Sequence, residues 1–143
     1  MKSVRTLILC STIALALPAA PPEWDKALHQ ARQSLVKASG YAGVIMLERV
    51  DPQTVAIHLQ TLGTTVKKAY FRARAEGKSM PALSLESDKG MESLSGSSML
   101  NEQFLEMEVS LEGEDFRPRL LMRIPRSGEK PEVGTVLMGT VAK

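Results

Sequence analysis

Between Phe104 and Pro125 the chain reads FLEMEVSLEGEDFRPRLLMRIP, a stretch that admits few folds. Leu105, Met107, Val109 and Leu111 alternate with Glu106, Glu108, Ser110 and Glu112. A period of two gives a strand one dry face and one wet face. After Gly113, Glu114 and Asp115 the pattern returns, with Leu120, Met122 and Ile124 alternating with Arg119, Leu121 and Arg123. With Glu114 and Asp115 at the tip of a hairpin, Met107 stands opposite Met122 and Val109 opposite Leu120. The same register sets Glu106 against Arg123 and Glu112 against Arg117. Apolar pairs share one face and opposite charges the other, so a one-residue slip would spoil both. A chain with this hairpin must build a sheet with a buried side.

The rest of the chain supplies cover and further strands. Pro21 to Gly40 reads as a helix, with Glu23 and Asp25 in its first turn, Lys37 in its last and Gly40 just beyond. Trp24, Ala27, Leu28, Ala31, Leu35 and Ala38 fall at helical spacing and form one apolar stripe for docking on a sheet. Gly43 to Val50 and Thr54 to Leu62 form a second hairpin, turned at Asp51 and Pro52. Val55, Ile57 and Leu59 face inward and His58 outward. The first arm is apolar on both faces through Leu47, as in a strand covered on both sides, with the helix as the second cover. Thr65 to Glu76 fits both a helical face and a strand alternation. The strand reading buries Phe71 and is preferred. Glu76 to Ser79 is then a turn and Ala82 to Glu86 a strand. Ser87 to Ser98 (SDKGMESLSGSS) is rich in serine and glycine without a period, and reads as a mobile loop at 87–99. Val133 to Val141 is a final strand.

Residues 1–19 read as a signal peptide. Lys2 and Arg5 precede the uncharged run Leu7 to Leu17, which is too short to cross a bilayer comfortably. Ala14 and Ala16 form an A-x-A site, so cleavage falls after Ala16 or after Ala19. Residues 20–143 then form a single domain. The whole chain has 18 Lys plus Arg and 16 Asp plus Glu, and loss of Lys2 and Arg5 leaves 16 against 16. A neutral exported domain gives no general electrostatic footing for nucleic acid. The single cysteine, Cys10, lies in the apolar run. Leu9 precedes it where lipid attachment needs a small residue, so no acyl chain is expected. About 125 mature residues can bury a core without disulfides, which suits a bacterial envelope. The expected location is periplasmic or secreted, with no stable membrane span after cleavage.

Motifs for chemistry are sparse. His29 and His58 sit on different elements without ligand spacing, so no metal site and no cofactor is expected. Ser34-Leu35-Val36-Lys37 matches S-x-x-K, but Ser87-Asp88-Lys89 is not the companion S-D-N and no K-T-G follows. Glu106, Glu108 and Glu112 could supply paired carboxylates for acid and base work on sugars, yet arginines opposite them make a solvated hairpin face the simpler role. Lys67, Lys68, Arg72, Arg74 and Lys78 cluster around Tyr70 and Phe71. A solvated face is the ordinary outcome of such a run. Its functional reading is partner binding through Lys68, Tyr70, Arg72, Arg74 and Lys78. Met91 and Met99, beside the Ser/Gly segment, are candidates for an adaptable contact.

The expected architecture is α+β: an N-terminal helix packed on a largely antiparallel sheet of six or seven strands, curved into a half-barrel or sandwich. Two functional classes follow. One is an exported non-catalytic module that binds another envelope protein, with acidic partners suited to the basic run, as a chaperone, assembly factor or inhibitor would. The other is a small exported hydrolase whose site is assembled from residues distant in sequence. The lack of a nucleophile-base or metal grouping in the sequence favours the first.

Overall fold

The computed structural model describes residues 22–38, 40–114 and 116–140. Residues 1–19, read above as a signal peptide, and Asp115, which the sequence pattern puts at the hairpin tip, lie outside them. One helix, α1 (Pro22–Ala38), precedes eight strands: β1 (Gly40–Asp51), β2 (Thr54–Leu62), β3 (Val66–Ala75), β4 (Lys78–Met91), β5 (Ser93–Met99), β6 (Glu106–Glu112), β7 (Arg119–Arg123) and β8 (Glu132–Thr140). The strands form two antiparallel sheets, ordered β5-β2-β1-β8 and β4-β3-β6-β7. The α+β architecture is as expected, with eight strands among the described residues in place of six or seven.

The hairpin of β6 and β7 has the register read from its pattern. Met107 pairs with Met122, Val109 with Leu120 and Glu106 with Arg123. Ile45, Leu47, Val55, Ile57 and Leu59 of the first sheet meet Ala69, Phe71, Ala73, Met107, Val109 and Met122 of the second in a common core. β3 is a strand throughout, and Phe71 is fully buried at its centre. Its small inward neighbours Ala69 and Ala73 leave room for that ring.

The segment Ser87 to Ser98 is corrected from a loop to strand. It forms the end of β4 and nearly all of β5, which pairs with β2 from Thr54↔Met99 to Gln60↔Ser93. Backbone hydrogen bonds do not read side chains, and a well-formed neighbour can recruit a polar segment of small residues. Leu94 is buried, whereas Ser93, Ser95 and Ser97 are exposed. Gly96 leaves space for Leu83, whose Cδ2 would lie 3.2 Å from an added Cβ. The alternation is present, but serine and glycine conceal it.

The outward side of the first sheet is covered by α1. Trp24, Ala27, Leu28 and Leu35 pack with Ala31 on Val44, Leu62 and Val133. This explains why β1 is apolar on both faces. At the open sides of the sandwich β4 lies against β5 and β7 against β8. At one side Thr61 donates its N–H to the Glu92 carbonyl oxygen at 2.7 Å and its hydroxyl to the same oxygen at 3.1 Å. At the other Gly134 receives Leu120, whose Cδ2 would stand only 2.7 Å from an added Cβ. Arg49 ties the loops together at one end. It donates to the carbonyls of Leu100 and of Pro125, the latter at 3.1 Å. Burial pushes its guanidinium below its ordinary range, against the pull of Glu102 and Asp51.

Candidate functional site: the outward face of the second sheet

β3 lies between β4 and β6, so every outward side chain on it has neighbours on both sides. Strand alternation sends Lys68, Tyr70, Arg72 and Arg74 outward, while Ala69, Phe71 and Ala73 are buried. Four of the five residues singled out in the sequence therefore share one face. Lys78 does not join them. It pairs with Ala75 while Ser79 pairs with Arg74, so it belongs to the opposite face. Its Nζ donates to Gln103 Oε1 at 3.2 Å and lies 5.4 Å from the centre of the Phe104 ring.

The basic row is not alone. β6 places Glu106, Glu108 and Glu112 opposite Arg74, Arg72 and Lys68. β7 adds Arg119 and Arg123 beyond them. The face is striped, with an acidic row between two basic rows. Lys68 stands 3.7 Å from Glu86 and 3.8 Å from Glu112. Glu112 also meets Arg117 at 3.1 Å, the contact expected from the register, and Glu108 meets Arg119 at 2.6 Å. Arg123 turns away from Glu106 to Glu129, whose two oxygens accept at 2.6 and 2.8 Å.

Arg72 and Arg74 differ from their neighbours. Among the described residues neither forms an ion pair. Arg72 is held by neutral partners, donating to the Tyr70 hydroxyl at 2.7 Å and to Ser79 Oγ at 3.1 Å. Its guanidinium carbon lies 5.4 Å from the centre of the Tyr70 ring. This holds the guanidinium in place by neutral partners, while Glu108, across from it on β6, pairs with Arg119 instead. Arg74 is exposed at the end of the row.

Beyond Arg74 the face runs into a cleft of about 740 Å³, whose lining includes Arg74, Glu106, Leu105, Leu121, Arg123 and Arg126. Leu105 was expected in the core, yet it precedes β6 and is about half exposed at this cleft. Leu121 is likewise about half exposed, on the polar face of β7. An apolar residue breaking a polar row was the visible signal of this cleft. Arg126 carried none, because it lies in a turn whose position depends on tertiary contacts.

The other candidates are dispersed. His29 is exposed on α1, while His58 is buried on β2. His58 Nδ1 lies 3.0 Å from Ser95 Oγ, and its ring centre lies 6.1 Å from that of Trp24. Burial lowers the His58 pKa, with Glu48 opposing. Among the described residues no group of three His, Cys, Asp or Glu side chains could hold a metal ion. Ser34 of the S-x-x-K sequence is an exposed helix residue. Met99 is 71% exposed at the end of β5, whereas Met91 packs against the core. No described helix is long and apolar enough to cross a membrane. No family model, curated protein or solved structure matches the chain.

Proposed function

We propose that this protein is an exported, non-catalytic binding module that acts on another envelope protein, as a chaperone, assembly factor or inhibitor does, and that the outward face of the second sheet is its contact surface. The observation that carries this reading is the pair Arg72 and Arg74. They stand on an interior strand, outside the core, and neither forms an ion pair among the described residues although Glu108 and Glu106 lie across from them. Arginine on a preorganised surface contributes strongly to protein recognition, and its field speeds encounter with acidic partners. Lys68, by contrast, is matched by Glu86 and Glu112 and adds little net attraction. The periplasmic or secreted location is part of the same proposal and rests on Lys2, Arg5 and the apolar run that follows.

Two measurements test it. Intact-mass analysis of the exported protein is expected to give a chain starting at Leu17 or Ala20, without an acyl group. A full-length mass or a lipid adduct at Cys10 would remove the envelope from the proposal. Crosslinking in envelope extracts, followed by identification of the joined peptides, is expected to place partner contacts at β3. Joined peptides confined to α1 or β5 would move the contact surface elsewhere.

A further inference from the structure

The cleft beyond Arg74 has a defined wall. Arg126 opens a turn in which the Glu129 N–H donates to the Arg126 carbonyl at 3.0 Å, and the Arg126 N–H donates to Glu129 Oε1 at 2.7 Å. Gly128 takes a φ of +83°, which few other residues tolerate. The Ser127 N–H donates to Glu102 Oε1 at 2.7 Å, anchoring the turn to the segment before β6. These hydrogen bonds hold the carboxylates of Glu102 and Glu129 below the usual range. The backbone of Arg126 is thus fixed, while its side chain has no ion-pair partner among the described residues. Arg74, which lines the same cleft, is in the same condition.

The lining also says what would fit. Leu105 and Leu121 are 48% and 51% exposed, so the cleft offers apolar surface beside cationic forks. Its volume, about 740 Å³, lies in the usual range for ligand sites. A guanidinium favours carboxylate or phosphate oxygens. Glu76 and Glu106 are also in the lining and would repel a densely charged polyanion. A long acyl chain would need a dry enclosure, and two half-exposed leucines do not make one.

We infer that this cleft takes a short acidic peptide segment of a partner protein. Arg74 and Arg126 hold its carboxylate, and a neighbouring apolar side chain lies on Leu105 and Leu121. The inference rests on the binding reading above and names what that surface recognises.

The test is fluorescence anisotropy at low salt with a labelled peptide of alternating leucine and aspartate. The wild type is expected to bind saturably. Arg126→Glu should weaken binding by about tenfold or more, the loss that follows removal of a charge-assisted hydrogen bond. Leu121→Ser should weaken it as well, and covers the case in which Arg126→Glu disturbs the turn. Lys26→Glu, on the exposed side of α1 and away from the second sheet, should change affinity by no more than about twofold. Absence of saturable binding, equal binding of a lysine-for-aspartate peptide, or unchanged affinity in Arg126→Glu and Leu121→Ser would overturn the inference. Displacement of the peptide by phosphatidylglycerol vesicles, dependent on Arg126, would assign the cleft to a membrane surface and also overturn it. The two proposals fail separately. Partner contacts at β3 that survive Arg126→Glu, with no peptide binding, would leave the binding reading standing. Peptide binding without any crosslinked partner would do the reverse.

Discussion

His58 shows how one residue can be placed correctly and still misjudged. Its position on the outward side of β2 follows from the alternation with Ile57 and Leu59. That side is where α1 docks, so His58 is only 7% exposed. Trp24 lies over it, Ser95 faces it from β5 and Glu48 acts on it from β1. Burial disfavours the charged imidazole, so the folded pKa lies below the ordinary 6.5. The unfolded chain therefore binds a proton first as the pH falls, and stability drops with it. We expect full stability from this group above pH 6.5, with a progressive loss below it until the folded pKa is passed. Urea melts from pH 7.5 to 5 should show this slope, and His58→Gln should flatten it. A flat profile in the wild type would mean that the ring is solvated and α1 is not seated on it. Glu102 and Glu129, whose pKa values are also lowered, lose their contributions only at more acid pH, below the ordinary carboxylate value of 4.5.

At the scale of elements, the hairpin of β6 and β7 was legible because two independent codes agreed. Apolar pairing and charge pairing demanded one register, and the structure has it. β5 was illegible for the opposite reason. Its one large inward anchor is Leu94, and its remaining residues are those that ordinarily mark loops. β3 was ambiguous because alanine, lysine and arginine suit a helix, and what decided it was the burial of Phe71 in the core between the two sheets. The faces of the hairpin can be tested directly. Val109 is 1% exposed, and Val109→Asp buries an unpaired carboxylate, with an expected loss on the order of 4 kcal/mol or more. Glu106 is exposed and without an ion pair among the described residues, so Glu106→Ala should cost less than about 1 kcal/mol. Equal losses in denaturant melts would mean that the faces are reversed.

Taken whole, the molecule keeps its buried layers apart from the face to which the proposed function assigns recognition. The core between the sheets and the α1 seat hold the fold, while the striped outer face contributes mostly solvated ion pairs. The basic run of the sequence became one row of a wider pattern, because β6 brought glutamates beside it and Lys78 fell on the other side of the sheet. What a linear reading could not supply was the neighbour across each strand, and with it the distinction between Lys68, which is ion-paired, and Arg72 and Arg74, which form no ion pair among the described residues. That distinction is the basis of the proposed function. Its most direct test pairs a thermal melt with the association rate of the crosslinked envelope partner, measured against ionic strength for the wild type and for Arg72→Glu/Arg74→Glu. A surface field predicts an unchanged melt, a slower association in the variant at low salt, and convergence of the two proteins as salt screens the charges. An unaffected association rate with a collapsed melt would contradict it, and would make these arginines part of the fold.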